Sequence, residues 1–386
     1  APETAVTAIF REGFSCMVLP PAIEATSEVL QALPDAPTPF ARDVAAADDW
    51  PYGDHVVIEQ PNDVDQAALL QAAEWAFEPA VAEQMTVSLL ITRGERVLLE
   101  RYAPGFDAAT RTRTWSTAKS IASTLIGMLV EDGLLSLDDS LPVDWLPELA
   151  ASEADPRSGI TLRHVLHMAS GLYPVDSSRM EYQSGSGLAY WAGESSAMAA
   201  RRRGLVRAPG TFWDYENYDT LLAIYAMRRV LPDVQSYHHY PSQRLLKKLG
   251  MHQTLIGADR FGDFILSSQV YSNARDLGRL GLLYLNEGVW KGERLISKDW
   301  IDFIRTPAPV TTNPRAQYGG QWWLVPDDRT DIPKDAYATA GSRGQFVIVV
   351  PSHQVVIVRR GLDYGLQGFN YWDLTREVLK ALPPAR

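Results

Sequence analysis

Several hallmarks of common protein classes are scarce or missing in this sequence of 386 residues. It has one cysteine, Cys16, which excludes an internal disulfide and any metal site built from several cysteines. No apolar run reaches the roughly 18 residues that a membrane-spanning helix needs. Acidic residues outnumber basic ones, 47 to 36, and the net charge of −11 would repel a phosphate backbone. We therefore expect no nucleic-acid partner and no transmembrane segment in this chain.

The chain does contain enough apolar material for a large core. Hydrophobic residues make up 46% of it, and its length suits about two domains or one large domain with an insertion. The stretch from 33 to 65 is rich in Pro and Asp, so residues 1–65 are predicted to form an extended N-terminal arm on the surface. Residues 66–135 and 270–386 are predicted to form an α/β domain, and residues 136–269 a mainly helical lobe.

Two apolar β-hairpins bracket the helical middle of the chain. The first is predicted over 86–100 with its turn near Gly94, and the second over 346–359 with its turn near Pro351. Helices are predicted over 66–77, 116–132, 273–286 and 371–382. The simplest packing joins both hairpins in one antiparallel sheet, covered by the second and the last of these helices. The predicted fold class is therefore α/β, with an inserted helical lobe.

The main chemical signal is a serine and a lysine three residues apart at a predicted helix start. At this spacing Ser116 and Lys119 lie on one helix face, so the lysine amine can take the proton that makes the serine hydroxyl a nucleophile. No other Ser-x-x-Lys occurs in the chain. The unpaired N–H groups of the first turn can polarise an attacked carbonyl. The alternative is a surface lysine beside a helix-capping serine.

A lysine needs help to act as a base at neutral pH. Its unperturbed pKa is about 10.4, so about one amine in a few thousand is neutral at pH 7. A tyrosine has a similar unperturbed pKa of about 10 and can share the proton. Among the Tyr-x-Asn triplets are those that begin at Tyr215 and at Tyr271, and the one at Tyr271 leads directly into a helix as its predicted cap. Tyr215 is therefore the predicted catalytic tyrosine, and the alternative for it is a buried core residue.

A glycine-bearing turn forms the third candidate motif. The segment Thr339-Ala340-Gly341-Ser342-Arg343-Gly344-Gln345 stands directly before the strand predicted from Phe346. Its glycines permit a substrate backbone to approach an edge strand closely. The N–H of Ser342 is predicted to form an oxyanion hole with the N–H of Ser116. The alternative is an ordinary glycine-rich turn into a strand.

The order of these three motifs resembles that of the class C β-lactamase, penicillin-binding-protein and esterase superfamily of serine hydrolases. Three further stretches support the resemblance, which covers roughly residues 85–386: Ile160 to Leu172, Ser272 to Gly278 and Leu283 to Gly288. Gln321-Trp322-Trp323 and the Gly344-Gln345 pair look most like the 6-aminohexanoate-dimer (nylon-oligomer) hydrolase branch, with family VIII-type esterases also similar.

The resemblance implies a β-lactamase-like three-layer fold, in which helices flank an antiparallel sheet and the active site lies between the two lobes. It implies an acyl-enzyme on Ser116, with no cofactor and no metal. Because relatives are often exported and the chain opens at Ala1 instead of a methionine, a periplasmic or secreted location is expected, with the cytoplasm left open. The residues predicted to contact substrate are Asn217, Tyr173, Gly341, Arg343 and Gln345.

The sequence departs from the β-lactamase pattern in its third motif. β-Lactamases and transpeptidases carry Lys-Thr-Gly there, and the lysine cation binds the substrate carboxylate. Here the three positions are Thr339, Ala340 and Gly341. β-Lactam recognition should be poor unless Arg343 substitutes, since a guanidinium can bind a carboxylate bidentately. The departure favours an amidase or esterase for small or linear substrates.

Other functions stay open or are disfavoured. A peptidase for linear or D-residue peptides, a carboxypeptidase, and a sensor that is acylated without turnover remain alternatives, and a homodimer remains open. His164 and His167 have helical spacing, but no glutamate completes a zinc-protease pattern, so a metal site is not expected. The absence of a Gly-x-Ser-x-Gly elbow counts against an α/β-hydrolase. The expected partner is a small molecule or a short linear peptide.

Overall fold

The computed structural model describes residues 8–11, 15–18, 48–78, 81–148, 155–174, 186–191, 193–310, 317–365 and 367–384. Most of the predicted N-terminal arm lies outside these residues, and so does the segment 175–185 of the helical lobe. The domain boundaries at 65, 135 and 269 stay predictions. None of the helices in the described ranges is long and apolar enough to cross a membrane.

The strands fall into one large sheet and several small ones. In chain order they are β1 Ala8–Arg11, β2 Ser15–Val18, β3 Thr86–Arg93, β4 Arg96–Tyr102, β5 Thr112–Arg113, β6 Leu255–Ile256, β7 Val270–Ser272, β8 Val289–Trp290, β9 Glu293–Arg294, β10 Trp323–Leu324, β11 Tyr337–Gly341, β12 Gln345–Val350 and β13 Val355–Gly361. The large sheet is antiparallel, with strand order β10-β11-β12-β13-β3-β4. A small sheet, β5-β7-β6, lies apart from it.

The helices lie mainly between the two halves of the large sheet in sequence. They are α1 Gln66–Phe77, α2 Thr117–Glu131, α3 Leu162–Leu166, α4 Ser186–Trp191, α5 Ser196–Arg201, α6 Asn217–Val230, α7 Val234–Pro241, α8 Lys247–Leu249, α9 Ala274–Leu285, α10 Lys298–Arg305 and α11 Tyr371–Leu379. A π-helical turn, Ser242–Leu246, joins α7 to α8, and short 3-10 turns occupy Pro156–Gly159 and Pro351–His353.

Both predicted hairpins belong to one sheet, which confirms the packing expected from the sequence. The two hairpins are connected by the antiparallel pairing of β13 with β3, in which Ile357 lies opposite Ile91. Side chains alternate along each strand, so one face of β12 and β13 buries Val347 and Val356 and the other buries Ile348 and Ile357. Each face has its own apolar cluster, and the result is the predicted three-layer arrangement.

The helices that cover the sheet are more numerous than predicted. Helix α9 packs over β13, β12 and β3 on the same side as α2, whereas α1 packs against α11 on the other side. Two glycines allow α9 to lie close to the strands. A Cβ atom on Gly281 would lie 2.5 Å from Val356 Cγ1, and one on Gly278 would lie 2.8 Å from Leu90 Cδ2. The sequence pattern showed the amphipathic helix but not which layer it joins.

Helix ends follow the local signals closely, whereas the buried face of one helix does not. Helix α1 has the predicted bounds, but Leu70 and Trp75, expected on its apolar face, are 57% and 37% exposed. Its buried face is made mostly of alanines, because α11 packs closely against it. Gly133 follows α2 with a positive φ of 70°, as expected of a residue just beyond a helix end.

Helix α6 connects the helical lobe to α2, the helix that follows Ser116. It packs against α2, α3 and α5 at once, and most of its side chains are buried. Its first residue, Asn217, therefore lies beside the first turn of α2. This packing brings the second sequence motif to the first, although about 100 residues separate them.

Candidate active site

Ser116 occupies the entrance to α2 in a form suited to a nucleophile. It stands at the N-cap position with φ −66° and ψ −8°, and its side chain makes no capping hydrogen bond. The preceding residue, Trp115, has a positive φ of 49°, which is a strained conformation for a large side chain. The Ser116 hydroxyl instead accepts a hydrogen bond from Lys119.

Lys119 is buried and its ammonium group is held by three named acceptors. Its side chain is 1% exposed, which removes the alternative of a surface lysine. Nζ donates to Ser116 Oγ at 3.1 Å, to Asn217 Oδ1 at 2.5 Å and to the carbonyl of Ser267 at 2.9 Å. The amine is thus directed at the serine hydroxyl by partners on two other segments of the chain.

Tyr215 lies next to this pair. Its ring centre is 5.0 Å from Lys119 Nζ, and the ring is only partly buried. Trp323 stacks on it at a centroid distance of 5.5 Å, and Tyr318 meets it edge-on at 5.8 Å. Tyr215 is thus a partly exposed member of an aromatic cluster, and its catalytic role stays a prediction. The Tyr215 ring forms part of an aromatic wall that includes the Trp323 singled out in the sequence.

The Tyr-x-Asn triplet at Tyr271 has a structural role. Asn273 caps α9, because its Oδ1 accepts the N–H of Asp276 at 2.8 Å, and this confirms the predicted cap. The phenol of Tyr271 donates to Gln269 Oε1 at 3.3 Å.

Asn217 binds the lysine through its amide. Its Oδ1 accepts from Lys119, and its Nδ2 donates to Ser186 Oγ at 3.0 Å. Ser267, whose carbonyl also accepts from Lys119, shares a hydroxyl hydrogen bond with Tyr190 at 2.9 Å. The predicted substrate contact of Asn217 stays a prediction. Sequence reasoning missed Ser186 and Ser267, and a backbone carbonyl such as that of Ser267 has no sequence signature.

Gly341 allows the third motif to approach the nucleophile. A Cβ atom there would lie 2.2 Å from the Thr114 carbonyl oxygen and 3.1 Å from the Thr117 N–H nitrogen. The close approach that the glycine permits is therefore that of β11 to the start of α2, and not only that of a substrate backbone, as expected from the sequence. Thr117 Oγ1 also donates to the Gln345 carbonyl at 2.9 Å, which ties β12 to the same turn.

The turn after Gly341 presents free backbone donors. Gly341 pairs with Gln345 across β11 and β12, so the turn consists of Ser342, Arg343 and Gly344, and the last two have φ of 59° and 80°. Within the described residues, neither the Ser342 N–H nor the Ser116 N–H has a hydrogen-bond partner. An oxyanion hole requires unpaired N–H donors, and its assignment to these two groups stays a prediction.

The predicted substrate contact of Gln345 is corrected by its surroundings. The residue is buried, its Oε1 accepts from Arg360 Nε at 2.7 Å, and its Nε2 donates to the carbonyls of Arg343 and Gly361 at 2.9 and 2.5 Å. No amide proton is left for a ligand. The Gln345 side chain supports the turn of residues 342–344 through its hydrogen bond to the Arg343 carbonyl.

Arg343 reaches the solvent beside the nucleophile. Its guanidinium carbon lies 5.7 Å from the ring centre of Trp115, the residue before Ser116. The guanidinium of Arg113 lies 3.6 Å from the same ring and hydrogen-bonds to Ser268. No carboxylate in the described part of the chain pairs with Arg343, so its charge is available to a ligand. Sequence reasoning missed Trp115 and Arg113, although Trp115 adjoins the motif.

Tyr173 lies at the rim of the described lobe and is 58% exposed. Its N–H donates to the Gly204 carbonyl at 2.8 Å, and its carbonyl accepts from Arg203 Nε at 2.9 Å. Arg203 forms a buried ion pair with Asp219 at 2.8 Å, so the backbone of Tyr173 is anchored to α6. Its predicted contact with substrate stays a prediction.

The two histidines of α3 have structural surroundings. His164 Nδ1 accepts the N–H of Thr161, completing a capping box. His167 stacks on Phe303, and burial lowers its pKa to about 4. Within the described ranges, no group of three or more His, Cys, Asp or Glu side chains could hold a metal ion.

Comparison with known proteins gives consistent results. A family model described as Beta-lactamase matches residues 77–359. The 6-aminohexanoate-dimer hydrolase of Paenarthrobacter ureafaciens is 27% identical over 304 residues, which are 73% of this chain and 74% of that protein. A solved family VIII carboxylesterase has a TM-score of 0.63 at 16% identity and covers 84% of this chain and 98% of its own. A D-stereospecific amidohydrolase from Streptomyces sp. has a TM-score of 0.59 at 18% identity, with 82% and 98% covered.

Proposed function

This chain belongs to the Beta-lactamase family, in which it is a serine hydrolase, and we propose that it cleaves small or linear amides or esters through an acyl-enzyme on Ser116. The observation that carries the proposal is the buried Lys119 amine, which is hydrogen-bonded to Ser116 Oγ and aligned by Asn217 and the Ser267 carbonyl. An apolar residue would fill this buried position at a lower desolvation cost, so packing alone does not explain the lysine.

Acylation follows from this geometry. Lys119, in its neutral form and with the Tyr215 phenol beside it, takes the Ser116 proton as Oγ attacks the substrate carbonyl carbon. The negative charge on the carbonyl oxygen is held by the N–H groups of Ser116 and Ser342. The proton then passes through Tyr215 to the leaving amine or alcohol as the bond from carbon to that group breaks. Water, deprotonated by the same pair, releases the acid and restores the serine hydroxyl.

The substrate class is supported by two independent features. The curated relative is named for a linear amide, the 6-aminohexanoate dimer, and the solved neighbours are named as an esterase and an amidohydrolase. In this chain Arg343 offers an unpaired guanidinium close to Trp115 and hence to the nucleophile. We propose that Arg343 binds a carboxylate or similar anionic group of the substrate bidentately.

The test uses two serines of the same helix. Ser116→Ala should abolish hydrolysis of p-nitrophenyl esters and of the aminohexanoate dimer, whereas Ser123→Ala should retain it, because Ser123 Oγ bonds to the Gly320 carbonyl. Intact-mass spectrometry of the unaltered protein should show a transient acyl adduct that Ser116→Ala lacks. Undiminished turnover in Ser116→Ala would contradict the proposal, and an adduct that never hydrolyses would identify an acylated sensor instead.

A further inference from the structure

Arg360 is a buried cation without a counter-ion. Its side chain is 1% exposed, and no carboxylate in the described residues pairs with it. Nε donates to Gln345 Oε1 at 2.7 Å, Nη1 to the Ser272 carbonyl at 2.5 Å, and Nη2 to both the carbonyl and the Oγ1 of Thr112, at 2.7 and 2.6 Å. Burial lowers the pKa of Arg360 to about 9, so the group remains charged at neutral pH.

The neighbouring arginine shows that this situation is unusual. Arg359 points to the opposite face of β13, is equally buried, and has a counter-ion in Asp363 at 2.8 Å. Its Nη1 also donates to the Gly344 carbonyl at 3.1 Å. Taking a cation out of water without a partner charge costs several kcal/mol. An arginine occupies this buried position despite that cost, which points to a function other than stability.

The hydrogen bonds of Arg360 lead to the turn that carries Ser342. Because Arg360 occupies Oε1 of Gln345, the amide NH₂ of Gln345 must face the opposite way, toward the Arg343 and Gly361 carbonyls. The Arg343 carbonyl belongs to the residue after Ser342. A guanidinium is also the side chain that can donate in one plane to acceptors on β5, β7 and β12 together.

We propose that Arg360 is a positioning residue that acts through Gln345 to hold the Ser342 N–H in the orientation needed to stabilise the oxyanion. The inference rests on the proposed acyl-enzyme mechanism and deepens it. Under this inference Arg360 affects the rate of the chemical step and does not affect the binding of substrate. Sequence reasoning missed Arg360, although two arginines inside the otherwise apolar strand Val355–Gly361 were a signal.

The experiment compares Arg360→Lys with Arg279→Lys. Arg279 is a matched control, because it too is 1% exposed and makes several charge-assisted hydrogen bonds. Its acceptors, however, lie away from the oxyanion turn: Asp276, Asp54 and the backbone carbonyls of Pro51 and Gly53. Both changes remove the planar fork of donors, and both should lower the melting temperature. Only Arg360→Lys should lower kcat, by about tenfold or more, with KM for a p-nitrophenyl ester within twofold of the original.

A second variant and a tetrahedral inhibitor isolate the oxyanion turn. Gln345→Glu keeps an acceptor for Arg360 and removes the donor to the Arg343 carbonyl, so it should lower kcat to a similar extent. The double variant should lose little more than either single variant. A phenylboronic acid, whose serine adduct places an oxygen in the oxyanion hole, should bind Arg360→Lys more weakly in proportion to the loss in kcat.

The outcomes separate this inference from the proposed function. Folded Arg360→Lys and Gln345→Glu proteins with kcat and boronate affinity within twofold of Arg279→Lys would overturn the positioning role, even if Ser116→Ala is inactive. Activity in Ser116→Ala would instead overturn the mechanism itself. If Arg360→Lys fails to fold, the kcat and boronate affinity of Gln345→Glu decide the question.

Discussion

The hydroxyl groups of Thr117 and Thr339 lie 3.0 Å apart in the protein core. Thr339 also accepts the N–H of Val347 at 3.0 Å, and its side chain is completely buried. In the β-lactamase pattern this position of the third motif is the lysine that meets the substrate carboxylate. Here the same position joins β11 to the first residue of α2. The departure seen in the sequence therefore has a structural consequence: the motif position serves packing, and Arg343 is the cation nearest the nucleophile in that turn.

Removing the Thr339 hydroxyl should weaken the contact between β11 and α2. Thr339→Val keeps the shape but leaves the buried Val347 N–H without its side-chain acceptor, so the free energy of unfolding should fall by about 1–3 kcal/mol. Thr339→Ser, which keeps the hydroxyl, should lose less. Denaturant unfolding of both variants measures the difference, and equal losses would show that the hydroxyl is not what matters.

Adding a methyl group to Gly341 should displace the third motif. The new Cβ of Gly341→Ala would lie 2.2 Å from the Thr114 carbonyl oxygen, which forces β11 away from α2. A shift of about 1 Å at reacting groups can cost about 10²-fold in rate, so kcat should fall on that scale. Gly159→Ala is the control, because a Cβ at Gly159 meets nothing within 4 Å. Comparable kcat values in the two alanine variants would contradict the close-approach argument.

A carboxylate beside Lys119 should shift the pH dependence of hydrolysis. Asn217→Asp replaces the amide oxygen that accepts from Lys119 with an anion, which favours the ammonium form over the neutral base. The ascending limb of the profile of kcat/KM against pH should therefore move to higher pH. Asn273→Asp, a cap exchange on α9 that is usually benign, is the control. An unmoved limb in Asn217→Asp would mean that Lys119 is not the group titrating there.

Neutralising Arg343 should affect only substrates that carry an anion. Charge-assisted hydrogen bonds contribute about 1.5–3 kcal/mol, so Arg343→Gln should lose about 10-fold to 100-fold in kcat/KM on a carboxylate-bearing ester. On the matched neutral ester the change should stay within twofold. The exposed Arg202, at the end of α5, supplies an Arg202→Gln control. Equal losses of kcat/KM on both esters would show that Arg343 does not recognise the charge of the substrate.

His167 should make the fold sensitive to mild acid. Burial holds the pKa of this imidazole at about 4, below its unfolded value near 6.5. Between these values the unfolded chain binds the extra proton, so the free energy of unfolding falls as pH falls, by up to about 3 kcal/mol from this group. His167→Phe keeps the stack on Phe303 and cannot titrate. Its stability relative to the original protein should therefore rise between pH 7 and pH 4, and a constant difference would contradict the assignment.

The features that could be predicted from the sequence are those that depend on residues close to one another in the chain. The spacing of Ser116 and Lys119, the two hairpins, the bounds of α1 and the cap at Asn273 depend on residues within a few positions of one another. Neighbours in sequence impose helix faces, strand alternation and turns directly. The burial of Lys119, by contrast, depends on segments that are distant from it in sequence.

Tertiary packing decided what the motifs touch. The Ser267 carbonyl that accepts from Lys119 is 148 residues away from it in sequence, and the Thr112 backbone reached by Arg360 is 248 residues away. The same packing brings Gly341 against the Thr114 carbonyl and commits the Gln345 side chain to the turn, whereas the predicted substrate contact of Gly341 stays a prediction. Every residue carries the same backbone carbonyl, and every glycine lacks the same Cβ atom, so the group itself does not show which position has a role. Its role exists only once folding has brought a distant partner within hydrogen-bond or van der Waals distance.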